Sequence, residues 1–156
     1  MLHLPQITIV SVNCVNAIES INAIKYSSRE IKFGKSILFT HEDIQSEGIE
    51  IIKIERLKSV DEYNDYILTL HKFIDTEFVL IVQDDGYIIN ANMWQPEFLN
   101  YDYIGACWPN EPSWIERQQT KYFMNGNWNR VGNGGFSLRS KKFLKLSLRF
   151  PTCGGW

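Results

Sequence analysis

Along the first half of the chain, short aliphatic and β-branched runs alternate with stretches in which apolar positions recur every three or four residues. Ile7-Thr8-Ile9-Val10-Ser11-Val12 is apolar enough to predict a strand buried on both faces. Asn16 then stands where it can cap a helix, with Ala17, Ile18, Ile21 and Ile24 at helical spacing behind it. Gly34 punctuates before a second strand, Ser36-Ile37-Leu38-Phe39-Thr40, and a polar link with Gly48 leads to a third at 49–54. Ser59-Val60-Asp61-Glu62 is a capping box, Ser and Glu being placed to satisfy each other's free N–H groups. The helix that follows carries Tyr63, Tyr66, Ile67, Leu70 and Phe73 on one face. The most apolar strand, Phe78-Val79-Leu80-Ile81-Val82, ends abruptly at Gln83-Asp84-Asp85-Gly86.

Strands separated by helices, with continuous apolar runs, predict an α/β fold with a mostly parallel sheet flanked by helices. In such sheets ligands bind at the carboxyl ends of the strands. Three polar segments leave strand ends there: Asn13-Cys14, Thr40-His41 and Gln83-Asp84-Asp85. Further on, Tyr87-Ile88-Ile89 continues as strand, 94–99 forms a short helix, and Tyr103-Ile104-Gly105-Ala106 reads as another strand. From 107 to 130 there is no periodicity. Val131-Gly132-Asn133-Gly134-Gly135-Phe136-Ser137-Leu138-Arg139 follows, and Ser140 caps a last helix over 141–148.

At 156 residues the chain suits one domain spanning 1–156. A hydrophobic share of 44% against 22% charged residues is that of a soluble globular protein, not a disordered one. A formal charge of −2 removes any bulk electrostatic case for nucleic acid or acidic membrane. No stretch is long enough to span a bilayer, and Cys14, Cys107 and Cys153 are too scattered for a disulfide framework or zinc finger. The expectation is a cytoplasmic protein.

Three features could carry chemistry. Asp84 and Asp85 follow a buried strand, and hard cations such as Mg²⁺ or Mn²⁺ take one or two such carboxylates while leaving room for phosphate oxygens. Asp-Gly between apolar runs is equally a hairpin signal. Gly132-Asn133-Gly134-Gly135 lets backbone amides approach a ligand, with Asn133 able to read hydroxyls; a glycine turn or bulge is the plainer reading. The third feature is the stretch 107–130, where Trp108, Trp114 and Trp128 lie among Asn, Pro and Gln. Rings that cover C–H faces and amides that bond hydroxyls suit a polyhydroxylated ligand. Trp94 and Phe98, at helical spacing, read as structural. Near the end, Arg139, Lys141, Lys142 and Lys145 read as a solvated helix face, with Arg139 alternatively reaching a phosphate.

Taken together, Phe78–Tyr87, Tyr101-Asp102-Tyr103-Ile104-Gly105-Ala106-Cys107-Trp108-Pro109 and Val131–Ser140 resemble a domain family of unknown function grouped with GT-A-fold glycosyltransferases. The resemblance runs from the first strand to the last helix. It places Gln83-Asp84-Asp85-Gly86 where such enzymes carry a DxD metal motif, which makes Asp85 the metal ligand, with Gln83 in place of the first acid. It implies a nucleotide-sugar donor held by Val12, Asn13, Thr40, Asn64, Gln83, Asp84, Gly134 and Gly135, with Mn²⁺ or Mg²⁺ on Asp85. A glycan or other hydroxyl acceptor would lie against Trp108 and Asn133. The resembled family continues into a Glu-Asp-containing segment, whereas no carboxylate follows Glu116 here, so the expectation is a shortened chain whose catalytic base is not identifiable. A carbohydrate-binding module without catalysis and a nucleotide-sugar hydrolase are the alternatives.

Overall fold

The computed structural model describes residues 1–107 and 131–148. Its strands are β1 (Leu2–Val12), β2 (Ile31–Thr40), β3 (Glu50–Lys53), β4 (Phe78–Ile81), β5 (Tyr103–Cys107) and β6 (Val131–Ser140). Its helices are α1 (Ala17–Ser28), α2 (Val60–Thr69) and α3 (Lys141–Ser147). The strands form one six-stranded sheet in the order β3-β2-β1-β4-β6-β5. β1 pairs in parallel with β2 and β4, and β2 with β3, while β6 runs antiparallel to both β4 and β5. The α/β class with a mostly parallel, helix-flanked sheet is therefore what forms.

The continuous apolar runs have a simple cause. Successive strand residues point to opposite faces, and both faces are covered. Ile7, Ile9, Leu38 and Leu80 pack with Ile21 and Ile24 of α1 on one side. Val10, Ile37, Phe39, Val79 and Ile81 pack with Ile67, Leu70 and Leu144 on the other. Phe39 is fully buried and meets Tyr66 and Phe73 edge-on.

Several boundaries move. Gly34 does not precede β2 but lies inside it, and β1 begins well before Ile7. A Cβ at Gly34 would stand 2.2 Å from the carbonyl oxygen of Pro5, at the point where the β1–β2 register shifts between Leu4 and Thr8. The glycine is there for close backbone approach rather than for a turn. Tyr87-Ile88-Ile89 is not strand, since Gln83 and Gly86 close a tight turn and the chain leaves the sheet. The single helix expected at 94–99 is replaced by two 3₁₀ turns, Ala91–Met93 and Pro96–Asn100. Pro96 has no N–H to continue the first and instead opens the second. Trp94 and Phe98 pack edge-on, centroids 5.4 Å apart, as structural residues.

Candidate functional site

The carboxyl ends of β1 and β4 open into a cleft of about 730 Å³. Its first wall is the β1–α1 link. Asn13 donates its backbone N–H to the Phe39 carbonyl, and its Oδ1 accepts from the N–H groups of Val15 and Asn16 at 2.7 and 2.9 Å. Its Nδ2 donates to Ser20 Oγ at 2.9 Å, so the side chain is committed to holding the turn. Asn16 caps α1 as its sequence position predicts, accepting from Glu19 N–H.

The second wall is the start of α2. Ser59 Oγ accepts from Glu62 N–H at 3.1 Å. The reciprocal half of the capping box is shifted by one residue, the Glu62 carboxylate accepting from Lys58 N–H at 2.6 Å. Helices in a parallel sheet run back against the strands, so α1 and α2 both begin at this rim, with Glu19, Asp61 and Glu62 in their first turns and the Glu42 carboxylate accepting from Ala17 N–H at 3.2 Å.

The third wall joins the acidic turn to β6. Gln83 and Gly86 exchange backbone hydrogen bonds of 2.9 and 3.2 Å, leaving Asp84 and Asp85 exposed at the tip. The acidic pair sits in a tight turn that faces the cleft, and no hairpin forms, because the run after Gly86 leaves the sheet. A Cβ at Gly86 would lie 3.1 Å from Phe136 Cβ, so the turn rests closely on β6. There the β5–β6 pairing jumps from Gly105↔Ser137 to Ala106↔Asn133, a bulge that contains Gly134 and Gly135. Ser137 Oγ donates to the Gly134 carbonyl at 2.9 Å.

The fold brings Val12, Asn13, Asn64, Gln83, Asp84, Asp85, Gly134 and Gly135 together around this one cleft, although they are spread over more than a hundred positions. Thr40 is not among its lining residues. It is fully buried at the end of β2, where its Oγ1 accepts from Glu42 N–H at 3.3 Å and its carbonyl from Ile54 N–H. A residue at a strand end serves the loop there as readily as a ligand. Trp108 and the aromatic stretch beyond it lie outside the described residues, as does the chain after 148. Asn133 occupies β6 opposite Ala106.

Tyr63 and Arg139 line the cleft against the first reading of each, although the alternative for Arg139, that it reaches a phosphate, also places it at a site. Tyr63 was read as part of a packing face, yet its hydroxyl accepts from Gln83 Nε2 at 2.9 Å inside the cleft. Burial raises its pKa above the ordinary phenol value and Asp85 adds to that, while the Gln83 hydrogen bond and the Arg139 charge oppose it. Arg139 is not on a solvated helix face. It belongs to β6 and is only 9% exposed. Its Nε donates to Ser137 Oγ at 3.0 Å and its Nη2 to the Gly134 carbonyl at 3.3 Å, with the guanidinium 5.2 Å from the Tyr103 ring centre. Burial lowers its pKa, and the Tyr103 and Tyr63 hydroxyls pull it back up. The signal was strand parity: Ser137 and Arg139 share the face opposite Leu138, so an arginine before the Ser140 cap had to point with the strand.

Among the described residues no three His, Cys, Asp or Glu groups converge. Asp84 and Asp85 alone fit a hard cation that draws most of its coordination from phosphate oxygens and water, not one caged by protein.

Residues 47–150 match the family described as "Protein of unknown function (DUF5672)". The match covers more than half of the chain, which belongs to that family. It takes in Asn64, the acidic turn and the diglycine bulge, and leaves out β1, α1 and β2. No curated protein matches the sequence. Among the described residues no helix is long and apolar enough to cross a membrane.

Proposed function

We propose that the cleft holds the diphosphate of a nucleotide-sugar donor and that the protein transfers the sugar to an acceptor hydroxyl. The observation that carries this reading is the meeting of the acidic turn, the diglycine bulge and two helix starts at the carboxyl end of a mostly parallel sheet. The volume, about 730 Å³, is of the size that small-molecule ligands occupy.

In this assignment Val12, Asn13 and Asn64 lie along the nucleoside and Gly134 and Gly135 line the sugar pocket. Gln83 steadies the wall through Tyr63. Asp85, with Asp84 beside it, would hold Mn²⁺ or Mg²⁺, which when bound neutralises charge developing on a departing diphosphate. Transfer breaks the bond between the sugar's anomeric carbon and the diphosphate oxygen, which keeps the electron pair. The acceptor oxygen bonds to that carbon, and its proton passes to solvent water. A glycan or another hydroxyl compound fills the acceptor role.

Calorimetry with UDP and GDP, with and without Mn²⁺, tests the donor half. Micromolar to millimolar binding of one nucleotide, tightened by metal, is expected. Absence of binding in every combination overturns the reading. Binding of glycans that ignores nucleotide and survives Asp85→Ala would instead support a carbohydrate-binding module.

A further inference from the structure

The transfer scheme leaves Arg139 unused, and its environment is unusual. A buried guanidinium is costly to desolvate and is ordinarily matched by a carboxylate. Here both protein acceptors are neutral, the Ser137 hydroxyl and the Gly134 carbonyl. Among the described residues no carboxylate lies within ion-pair distance of it. The side chain also lines the cleft with Lys58, Asp84 and Asp85, and among the described residues neither aspartate is ion-paired with it.

Gly134 fits this picture. A Cβ there would come within 2.6 Å of Arg139 Nη2, so the missing side chain makes the space in which the guanidinium rests. Ser137 Oγ and the Gly134 carbonyl take hydrogen bonds from Nε and Nη2, along one edge of the guanidinium, which fixes its plane before any ligand arrives. A planar donor fork, buried, oriented and with no carboxylate paired to it among the described residues, matches the oxygens of a phosphate group.

We infer that Arg139 is the fixed cation of the cleft, binding a phosphate oxyanion directly, with Gly134 as the residue that gives it room. Resting on the diphosphate reading above, the inference adds that anion binding does not require metal. It also accounts for the acidic turn beginning with Gln83: part of the charge that a second acid and its metal would offset is met by protein.

Pyrophosphate is the probe, titrated calorimetrically in EDTA against the full chain and three variants. The wild type is expected to bind it without metal, and more weakly as salt rises. Arg139→Gln should weaken binding by about a hundredfold, and Arg139→Lys, which keeps charge but not the fork, by about tenfold. Gly134→Ala keeps the arginine but displaces it, and should lose about tenfold with an unchanged circular dichroism spectrum. No metal-free binding by the wild type, or equal binding by Arg139→Gln, overturns the inference. Should Arg139→Gln not fold, unchanged affinity in both Arg139→Lys and Gly134→Ala overturns it equally. If pyrophosphate binding depends on Arg139 but UDP and GDP bind no more tightly, the anion site stands and the nucleotide-sugar reading falls. If UDP binds with Mn²⁺ and ignores all three variants, the reverse holds.

Discussion

At the amino ends of β1 and β2, Met1, Leu2, Arg29 and Glu30 meet Ala91, Asn92 and Trp94 around a hollow of about 480 Å³. At the carboxyl ends of β1 and β4 lies the larger cleft, of about 730 Å³. Each contains an arginine, and the two arginines show what separates the ends. Arg29 closes α1, where the carbonyls of the last turn favour a cation. Its guanidinium lies 3.7 Å above the Tyr26 ring centre and donates to the Ile89 carbonyl at 3.0 Å. Its charge is already used in holding the fold. Arg139 is buried where helices begin, among neutral acceptors, and faces the ligand space. Parallel topology sorts helix starts to one end of the sheet and helix finishes to the other, so the two hollows differ in chemistry.

The two glycines offer the strongest way to break this comparison. At Gly34 an added Cβ meets the backbone of Pro5 at 2.2 Å, which cannot swing aside. Gly34→Ala should therefore cost about 2–3 kcal/mol in urea denaturation. At Gly134 the obstacle is the far end of a flexible side chain, so Gly134→Ala should cost less than about 1 kcal/mol while impairing ligand binding. Equal stability losses would show that both glycines are structural.

Asp85→Asn should remove about tenfold of the nucleoside diphosphate affinity that Mn²⁺ adds, leaving the metal-free part unchanged. Calorimetry at matched salt reads both. At the opposite end, Arg29→Gln should leave nucleotide binding untouched and cost about 0.5–1 kcal/mol of stability through the lost ring contact. A change in affinity there would mean that the ends are coupled.

The smallest effect concerns pH. Tyr66, packed against Phe39 and Phe73, has its pKa pushed up to about 12, by burial first and by Cys14 second. Because the folded state disfavours the phenolate, this contribution to stability is whole below about pH 10 and is lost as pH rises towards 12. Tyr66→Phe should flatten the fall in stability between those values, measured by urea melts at stepped pH. An unchanged slope would assign the fall to other groups.

Much of the architecture was legible because burial writes a local pattern. The strand cores at Ile7–Val12 and Phe78–Ile81, the Asn16 and Ser59 caps and the Ser140 cap depend on residues close in sequence. Gly34 was misread for the opposite reason: its neighbour is Pro5, on another strand. The candidate site divides in the same way. The acidic turn and the diglycine segment stood out by composition, and the shared cleft agrees with grouping them. Thr40 and Arg139 did not follow their sequence context. Thr40 leaves a strand end as a ligand residue would, yet is buried in its own loop.

By itself, then, the sequence determined which positions avoid water, where helices begin and which polar residues sit at strand ends, since hydrophobic spacing and capping act within a few residues. Strand order was a matter for the tertiary structure alone. Only when β6 inserts antiparallel between β4 and β5 does its bulge meet the turn after β4. That pairing buries an arginine without a carboxylate among its described neighbours, because register between distant strands, not local propensity, decides which side chains share a cleft.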